Sequence, residues 1–399
     1  MAPRIVVFSS LFPHAGQPGA GLFVRERLFR VGRLLPITVV SPRPWFPGQG
    51  LIRRFRPGYR PPAPRLETQQ GVTVRFPRFF ALPGIGRRFD GLFMAVSCLP
   101  LLWRLRSEGY NLIDAHFAYP DGYAATLLGR WLRLPACITL RGSETPQSRN
   151  PVLRERIAAA LQRADWVFAV ADALRRLGLS LGLAEAKSQV VGNGVDVERF
   201  APMDRLAARA RLGLPDDAQV LISVGGLVER KGFHRVIACL PDLLATHPDL
   251  HYLIVGGGSP EGDISATLRQ QVADLGLGER VRFLGPLPPD ELKWPLSAAD
   301  VFVLATSNEG WANVFLEAMA CGLPVVTTDV GGNREVVCRE DLGEVVSFGD
   351  PAALAAALER ALCRTWDRRS IRAWAEANSW DSRVNDLVAT FRRLVENRS

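Results

Sequence analysis

Short runs of apolar and often β-branched residues recur along the first half of the chain, separated by stretches with helical spacing. The runs are Ile5 to Phe8, Ile37 to Val40, Val72 to Phe76, Leu112 to His116, Ala136 to Leu140 and Val167 to Val170. Several are apolar at consecutive positions, which is typical of strands covered on both faces. The alternation predicts a parallel sheet with crossover helices, that is, a Rossmann-like domain.

The same alternation begins again after a polar segment from Phe200 to Asp217, which contains Pro202 and Pro215. The later runs are Val220 to Val224, Leu253 to Val255, Val281 to Leu284, Val301 to Leu304 and Pro324 to Thr327. We expect a linker near the polar segment and a second doubly wound sheet after it. The α/β fold class therefore comprises two domains, residues 1–200 and residues 201–379.

The final segment has apolar residues at spacings of three and four: Val384, Leu387, Val388, Phe391 and Leu394. This spacing predicts an amphipathic helix within residues 380–399, which must pack its apolar side on a domain.

Composition narrows the class without choosing a function. A chain of 399 residues with 47% hydrophobic and 22% charged residues is ordinary for a two-domain globular protein. The formal charge of +9 favours anionic partners such as nucleotide phosphates or lipid headgroups. Nucleic acid is not expected, because no recognisable binding module accompanies the charge. The six cysteines are widely spaced without a Cys-x-x-Cys, which indicates reduced core residues rather than disulfides or metal ligands.

We expect a cytoplasmic protein, because the N-terminus enters a strand directly and no apolar stretch reaches the length of a spanning helix.

Two segments interrupt the regular pattern. Arg43 to Arg65 is rich in Pro, Arg and aromatic residues and predicts a long extended loop. Leu92 to Leu105 predicts an apolar helix that carries Trp103. Each is interpreted either as ordinary surface or core structure or as a surface that grips an anionic or lipid-linked acceptor, because cations beside aromatic residues suit a headgroup interface. The second interpretation includes a peripheral contact with the inner face of the cytoplasmic membrane.

The strongest chemical signal follows the run Val301 to Leu304. Glu309 falls in the turn at the carboxyl end of that strand, where ligands bind in open α/β sheets. A helix beginning near Ala312 would direct the backbone N–H groups of Gly310, Trp311, Ala312 and Asn313 towards an anion such as a diphosphate. Glu317 lies one turn further, so two carboxylates would accept hydrogen bonds from the hydroxyls of a sugar and a ribose.

This segment, from Ser307 to Pro324 with Glu309 and Glu317 eight positions apart, resembles the signature of glycosyltransferase family 4. The resemblance implies the GT-B fold, in which two Rossmann-like domains face each other across a cleft, and a retaining transfer from a nucleoside diphosphate sugar. It also implies that the last helix crosses back to the first domain.

Other segments resemble the family in register. The stretch from Val224 to Gly232 is similar to its phosphate loop, which implies that Gly225, Arg230 and Lys231 contact the donor diphosphate. Gly285 ends the segment from Val281, which in the family lies against the nucleotide base of the donor. The loop after the first strand, with Gly19 and Gly21, implies a contact with the donor from the first domain.

The sequence departs from the family at two positions. Gly226 stands where an Arg is usual, and Arg141 stands where many members carry a His near the reacting sugar. Arg141 cannot act as a base, since a guanidinium stays protonated. It would instead add positive charge beside the leaving diphosphate. His116 ends a strand and is either structural or a sugar or acceptor contact.

No cofactor or metal is expected, because no Asp-x-Asp ends a strand and lysine, arginine and helix N-termini can meet the phosphate charge. Lys231, Glu309, His116 and Arg141 are the catalytic candidates. We predict transfer of a hexose or N-acetylhexosamine to a polysaccharide or lipid-linked acceptor. The alternatives are a non-catalytic nucleotide-sugar-binding protein and a GT-B epimerase acting on a sugar nucleotide.

Overall fold

A computed structural model describes residues 2–56, 59–82, 86–259 and 261–397. By its internal contacts the chain divides into two compact units, the first formed by Met1–Asn193 with Trp380–Ser399 and the second by Gly194–Ser379. The division thus falls at 193/194, whereas the sequence placed it near residue 200. Residues 57, 58, 398 and 399, which belong to two of the predicted segments, lie outside the described residues.

The strands of the first unit are β1 (Ile5–Phe8), β2 (Ile37–Val40), β3 (Arg43–Trp45), β4 (Leu66–Gln69), β5 (Val72–Arg75), β6 (Arg78–Phe80), β7 (Leu112–His116), β8 (Ala136–Leu140), β9 (Trp166–Ala169) and β10 (Ser188–Val190). Its helices are α1 (Leu22–Val31), α2 (Gln49–Phe55), α3 (Asp90–Ser107), α4 (Tyr123–Leu132), α5 (Glu144–Gln147), α6 (Pro151–Arg163) and α7 (Asp172–Ser180). Short 3₁₀ turns cover Arg87–Phe89 and Glu185–Lys187, and a π-type turn covers Ala118–Gly122.

The second unit contains α8 (Arg205–Leu212), β11 (Gln219–Val224), α9 (Phe233–Thr246), β12 (Leu250–Val255), α10 (Ser265–Asp274), β13 (Val281–Gly285), α11 (Lys293–Ala298), β14 (Val301–Leu304), α12 (Asn313–Ala320), β15 (Val325–Thr328), α13 (Asn333–Val336), β16 (Gly343–Val346), α14 (Pro351–Cys363) and α15 (Arg368–Ala377). Short 3₁₀ turns cover Glu229–Lys231 and Pro289–Glu291. Helix α16 (Trp380–Glu396) ends the described chain and belongs to the first unit.

Each unit has a predominantly parallel sheet, which confirms the predicted α/β class with two Rossmann-like domains. The first sheet has the order β10-β9-β8-β7-β1-β2-β5-β4, with only β4 antiparallel to its neighbour. The second has the order β13-β12-β11-β14-β15-β16 and is parallel throughout. The central strands β1, β7, β8, β11, β12 and β14 are largely buried and consist mainly of apolar residues, because helices cover both faces of the sheets.

Two expectations about irregular segments are wrong. The stretch from Arg43 to Arg65, predicted as an extended loop, begins with β3, which pairs with β6, and continues into α2. The Arg43 guanidinium donates to the carbonyls of Ser10 and Phe12, and these hydrogen bonds fix the start of the segment from Arg43 to Arg65. The segment interpreted as a linker contains α8, whose N-terminus is capped by the Asp204 side chain.

The amphipathic helix predicted at the end of the chain is present as α16. Val384, Leu387, Val388 and Phe391 are buried in the first unit's core, and the Phe391 ring meets the Phe168 ring edge-on at 5.8 Å. The predicted apolar helix around Trp103 is α3, which packs on α4 through one side only.

Candidate functional site

The sheet of the second unit changes direction at its centre. From β11 the chain proceeds outward to β12 and β13, then crosses to β14 and continues outward to β15 and β16. The carboxyl ends of β11 and β14 are therefore neighbours, and the loops that follow them diverge. Doubly wound sheets bind their ligands in the crevice between two such loops. The loop after β11 carries Arg230 and Lys231, and the loop after β14 carries Glu309.

The structure brings these three predicted residues together. The Lys231 ammonium group donates to Glu309 Oε1 across 2.6 Å, and Arg230 Nη1 donates to the same oxygen across 3.0 Å. The Glu309 side chain is only 9% exposed and that of Lys231 is 14% exposed. Burial on this scale strengthens each interaction because water screens it poorly.

Arg230 also ties the two loops to the residues around them. Its Nη1 donates to the Asn308 carbonyl at 2.8 Å, while Nε and Nη2 form a two-pronged contact with Glu261, both at 2.9 Å. Hydrogen bonding to Glu261 is the main reason that the pKa of Arg230 is raised above its usual value, and it lowers the pKa of Glu261. The sequence reasoning missed Glu261, since it lies 31 positions away in a polar loop without a motif.

The Glu309 loop is held from the other side by a glycine. Gly331, in the turn after β15, has a φ of +53°, and a Cβ placed on it would stand 1.6 Å from the Glu309 carbonyl oxygen. Only a residue without a Cβ permits this approach. Thr306 adds a hydroxyl 3.3 Å from Glu309 Oε1. The position of Glu309 is therefore fixed by its surroundings in the absence of a ligand.

Helix α12 begins at Asn313, one residue from its predicted start, and among the described residues no side chain caps its N-terminus. The predicted contacts Gly310, Trp311, Ala312 and Asn313 thus form the approach to a helix start, which favours an anion. The indole N–H of Trp311 is buried without an acceptor among the residues that the structure describes. Glu317 lies one turn inside α12 and is half-buried.

Gly225 and Gly285 lie at the ends of two other strands of this sheet. Gly225 follows β11, and a Cβ on it would lie 3.6 Å from the Lys231 side chain. Gly285 ends β13 and accepts a hydrogen bond from the backbone of Gly256 at 2.9 Å. Both predicted contacts therefore lie on the carboxyl edge that carries Lys231 and Glu309.

The first unit repeats this topology, with its change of direction between β1 and β7. The glycine-rich loop follows β1. Gly21 takes a φ of +70° before α1, where a Cβ would stand 2.5 Å from the Leu11 carbonyl oxygen, so it has a structural role in the turn. Gly19 is exposed with open space around it.

His116 and Arg141 lie in one buried polar cluster. His116 ends β7 and Arg141 follows β8, and Arg141 Nε donates to His116 Nδ1 at 2.9 Å. His116 Nε2 lies 3.4 Å from Asp114 Oδ2, and Arg141 Nη1 donates to Asn193 at 3.1 Å. The guanidinium also stacks over the Phe23 ring at 5.2 Å. The Arg141 Nη2 group has no acceptor in the described part of the chain.

This cluster holds His116 neutral. Burial is the main cause that lowers its pKa to about 4, and the positive charge of Arg141 lowers it further against the opposing effect of Asp114. Burial also lowers the pKa of Arg141. A neutral imidazole whose Nδ1 accepts from Arg141 carries its proton on Nε2 and can act there only as a donor.

A second buried pair in this unit was not predicted. Asp121, in the turn after β7, accepts hydrogen bonds from the backbone N–H of Ser10 and from its hydroxyl, the latter at 2.9 Å. The pair bridges the carboxyl ends of β1 and β7. Burial raises the pKa of Asp121 to about 7, against the effect of the Ser10 hydrogen bonds. No sequence pattern predicts this pair, because the two residues are 111 positions apart.

Residue types that bind metals converge at one place among the described residues, where His247, Glu359 and Cys363 bring their ligand atoms within 4.8 Å of one another. His247 follows the C-terminus of α9, and Cys363 is the last residue of α14. In a βα unit the helix ends return to the amino edge of the sheet. This cluster therefore lies on the edge opposite to Lys231 and Glu309.

No helix within residues 2–56, 59–82, 86–259 and 261–397 is both long enough and apolar enough to cross a bilayer.

Comparison with known proteins identifies the class. A family model described as Glycosyl transferases group 1 matches residues 204–377, and another described as Glycosyltransferase Family 4 matches residues 30–199. The D-inositol 3-phosphate glycosyltransferase of Geodermatophilus obscurus is 33% identical over 354 residues, which cover 84% of this chain and 78% of the relative. The chain belongs to glycosyltransferase family 4, as the resemblance implied.

Two further proteins extend the comparison. TuaC of Bacillus subtilis, which its name assigns provisionally to teichuronic acid biosynthesis as a glycosyltransferase, is 30% identical over 337 residues, 82% of each chain. The solved structure of Anabaena Alr3699/HepE in complex with UDP has a TM-score of 0.74 and 20% identity, over 98% of this chain and 100% of that one. At that identity the second likeness shows the fold alone.

Proposed function

We propose that this glycosyltransferase moves a hexose or N-acetylhexosamine from a nucleoside diphosphate sugar to a polysaccharide or lipid-linked acceptor, with retention of the anomeric configuration. The observation that carries the proposal is the convergence of Lys231 and Arg230 on Glu309 Oε1, where β11 and β14 diverge. Two cations and a helix N-terminus form a site for a diphosphate.

The assignment of roles follows from this geometry. When the bond between the sugar and the phosphate breaks, negative charge develops on the leaving diphosphate, and fixed donors stabilise that charge without reorganising. Lys231, Arg230 and the start of α12 supply those donors. Glu309 holds both cations through Oε1, so its other oxygen is left to accept from a sugar hydroxyl. Glu317, one turn deeper in α12, accepts from a second part of the donor.

The acceptor proton needs no enzymic base in this mechanism. Arg141 stays charged in function, and His116 is neutral with Nδ1 already occupied. We therefore assign the proton to a phosphate oxygen of the leaving group, and we give Arg141 Nη2 the role of a donor to the donor sugar or the acceptor. His116, whose Nε2 faces Asp114 at 3.4 Å, positions Arg141 through Nδ1. The same charge arrangement makes a divalent metal unnecessary.

Relatives support the substrate classes. The Anabaena structures contain UDP and, in another case, UDP-glucose, which favours a nucleotide-sugar donor. TuaC is named for teichuronic acid biosynthesis, which favours a glycan acceptor. A lipid-linked acceptor and a peripheral contact with the cytoplasmic membrane are further parts of the proposal. The cytoplasmic location stays a prediction.

The test is incubation with UDP-, GDP- and ADP-sugars without a metal, followed by proton NMR of the released sugar. Slow hydrolysis of one α-linked donor should give the α-anomer before mutarotation. First release of the β-anomer would overturn retention. Binding without hydrolysis or transfer to any glycan acceptor would favour the non-catalytic alternative, and conversion of the donor into an epimer would favour the epimerase. Addition of EDTA should leave the rate unchanged.

A further inference from the structure

The net positive charge of the chain is concentrated in one segment. Residues 43–106 hold twelve arginines and no lysine, against only two carboxylates, Glu67 and Asp90. This amounts to a formal +10 for the segment, whereas the whole chain carries +9. The rest of the protein is therefore close to neutral, and the anion-attracting field belongs to the surface that these residues build.

Helix α3, within that segment, is apolar on two sides. One side packs on the core through Met94, Cys98 and Leu102. The other side, here called the α3 apolar face, carries Leu92, Phe93, Val96 and Trp103 and is exposed, with Val96 at 55% and Trp103 at 65%. From Gly91 to Trp103 the helix has no charged residue. A helix that is hydrophobic all round requires an apolar environment on both sides.

Neighbouring elements extend this face. The ring of Phe80, at the end of β6, meets that of Phe93 at 5.8 Å, and Phe89 lies 6.1 Å from Phe93. Trp45 pairs in register with Phe80 on the adjacent strand β3 and is also exposed. The two segments that interrupted the sequence pattern thus supply adjoining parts of one surface.

A cavity with a volume of about 430 Å³ lies at β5 and β6, where Arg78 of its lining is two residues from Phe80 on the same strand. Its lining includes three guanidinium groups, from Arg65, Arg75 and Arg78, and also Leu101 of α3. Arg75 Nη1 donates to the Thr38 hydroxyl at 3.3 Å. None of the three arginines forms an ion pair with a carboxylate in the part of the chain that the structure describes. Since unpaired guanidiniums bind phosphate in two-pronged fashion, the cavity suits a phosphate headgroup.

We propose that the α3 apolar face and the three-arginine cavity together dock the protein on an anionic phospholipid bilayer, with headgroup phosphates in the cavity and the exposed aromatic and aliphatic side chains among the acyl chains. The inference deepens the membrane contact proposed above. Its test measures vesicle binding without a donor, so it can fail while the glycosyltransferase activity stands.

The three-arginine cavity and the α3 apolar face together favour a bilayer over the other possible partners. A free anion would need the arginines but not the apolar face, and a second copy of this chain would bring the same positive charge and be repelled. A bilayer with anionic lipids offers phosphate charge and hydrocarbon a few ångströms apart, and it attracts basic side chains with about 1 kcal/mol each.

The experiment is co-sedimentation of the full chain with vesicles of phosphatidylcholine alone or with about one-third phosphatidylglycerol. We expect binding only to the anionic vesicles and weaker binding at high salt. Replacing the three cavity arginines (R65Q, R75Q and R78Q together) should reduce the partition constant roughly a hundredfold. The matched control is R130Q, R154Q and R392Q together, which removes the same charge from exposed positions outside the segment.

The apolar half is tested separately. V96E should reduce binding more than about tenfold, because it places a carboxylate among acyl chains. L206E is its control, since Leu206 in the second unit is also 55% exposed. Thermal unfolding should show that the variants fold. Equal binding to both vesicle types, binding of V96E equal to that of L206E, or a dimer without lipid that V96E dissociates would overturn the proposal.

Discussion

Lys231 and Glu309 come from loops 78 positions apart, yet the Lys231 ammonium group lies 2.6 Å from Glu309 Oε1. Arg230 reaches the same oxygen, so one carboxylate positions two cations. The carboxylate does not act as a general base in this arrangement. It fixes the positive charge that a diphosphate would meet, and with its second oxygen it can hold the sugar.

Replacing Glu309 by Gln tests this positioning role. The variant keeps the shape of the side chain but loses the charge that holds Lys231 and Arg230, so we expect kcat to fall by about 10²–10³-fold. Steady-state kinetics with the identified donor would measure it. E344Q is the control, because it removes a carboxylate that pairs with Arg360 on the surface. Full activity of E309Q would contradict the assignment.

A double-mutant cycle would show whether the pair acts as a unit. K231M leaves Glu309, which is 9% exposed, with one cation fewer, and E309Q leaves Lys231 without an opposing negative charge. We expect the double variant to lose less free energy of unfolding than the two single losses added together, with a coupling of about 1–2 kcal/mol. Chemical denaturation of the four proteins gives that value, and strict additivity would mean that the two groups do not interact.

The sequence predicted the central sheets well because their strands are apolar at consecutive positions. It missed β4, β10 and β16, which lie at sheet edges and are short and partly polar, as in Leu-Glu-Thr-Gln at Leu66–Gln69. An edge strand is covered less completely than a central one, so its composition resembles that of a loop. The segment from Arg43 to Arg65, after β2, was wrongly predicted as a loop for a related reason. Its prolines indicated a loop, but Arg43 anchors a strand through backbone carbonyls that no pattern reveals.

The site was predictable where a residue follows a strand. Lys231, Arg230 and Glu309 all lie just beyond the carboxyl ends of β11 and β14, and their meeting follows from strand order. Glu261 and the Ser10–Asp121 pair could not be predicted, because they depend on how distant loops approach each other. Arg141 was predicted to influence the chemistry through its charge, whereas the structure shows that it also holds the ring of His116.

Gly331 offers a test of how the Glu309 loop is shaped. G331A would place a Cβ against the Glu309 carbonyl, so the loop must move, and we expect donor affinity to fall by about tenfold or more together with a loss of roughly 2–3 kcal/mol in stability. Gly349 is a matched control, because its φ of +86° carries the same backbone strain while a Cβ there meets nothing within 4 Å. G349A should cost only about 1 kcal/mol and leave donor binding intact. Equal losses in both variants would reduce the role of Gly331 to backbone strain.

The contact between Arg141 and His116 predicts a measurable titration. After burial, the charge of Arg141 is the next cause that lowers the His116 pKa to about 4, so R141M should move that pKa upward towards 6.5. NMR titration of the imidazole protons would follow it, with H116Q used to assign the signal among the five histidines. R156M is the control, since Arg156 packs over Tyr123 and makes no contact with His116 in the described structure. An unchanged His116 pKa in R141M would show that burial alone sets it.

Asp121 predicts a pH dependence of stability with a definite sign. Its pKa is about 7 in the folded protein against an ordinary 3.8, so between these values the folded state binds more protons than the unfolded state. Stability must then decrease as pH rises through this window, by up to about 1.4 kcal/mol per pH unit from this one group. D121N can keep a hydrogen bond with the Ser10 backbone and with its hydroxyl but cannot ionise. Measured by urea unfolding, its stability relative to the parent protein should rise from pH 4.5 to pH 7 and level off above that. The other carboxylates and histidines titrate in both proteins and cancel in the difference. A flat difference across this window would show that Asp121 ionises in the folded protein as readily as in the unfolded chain.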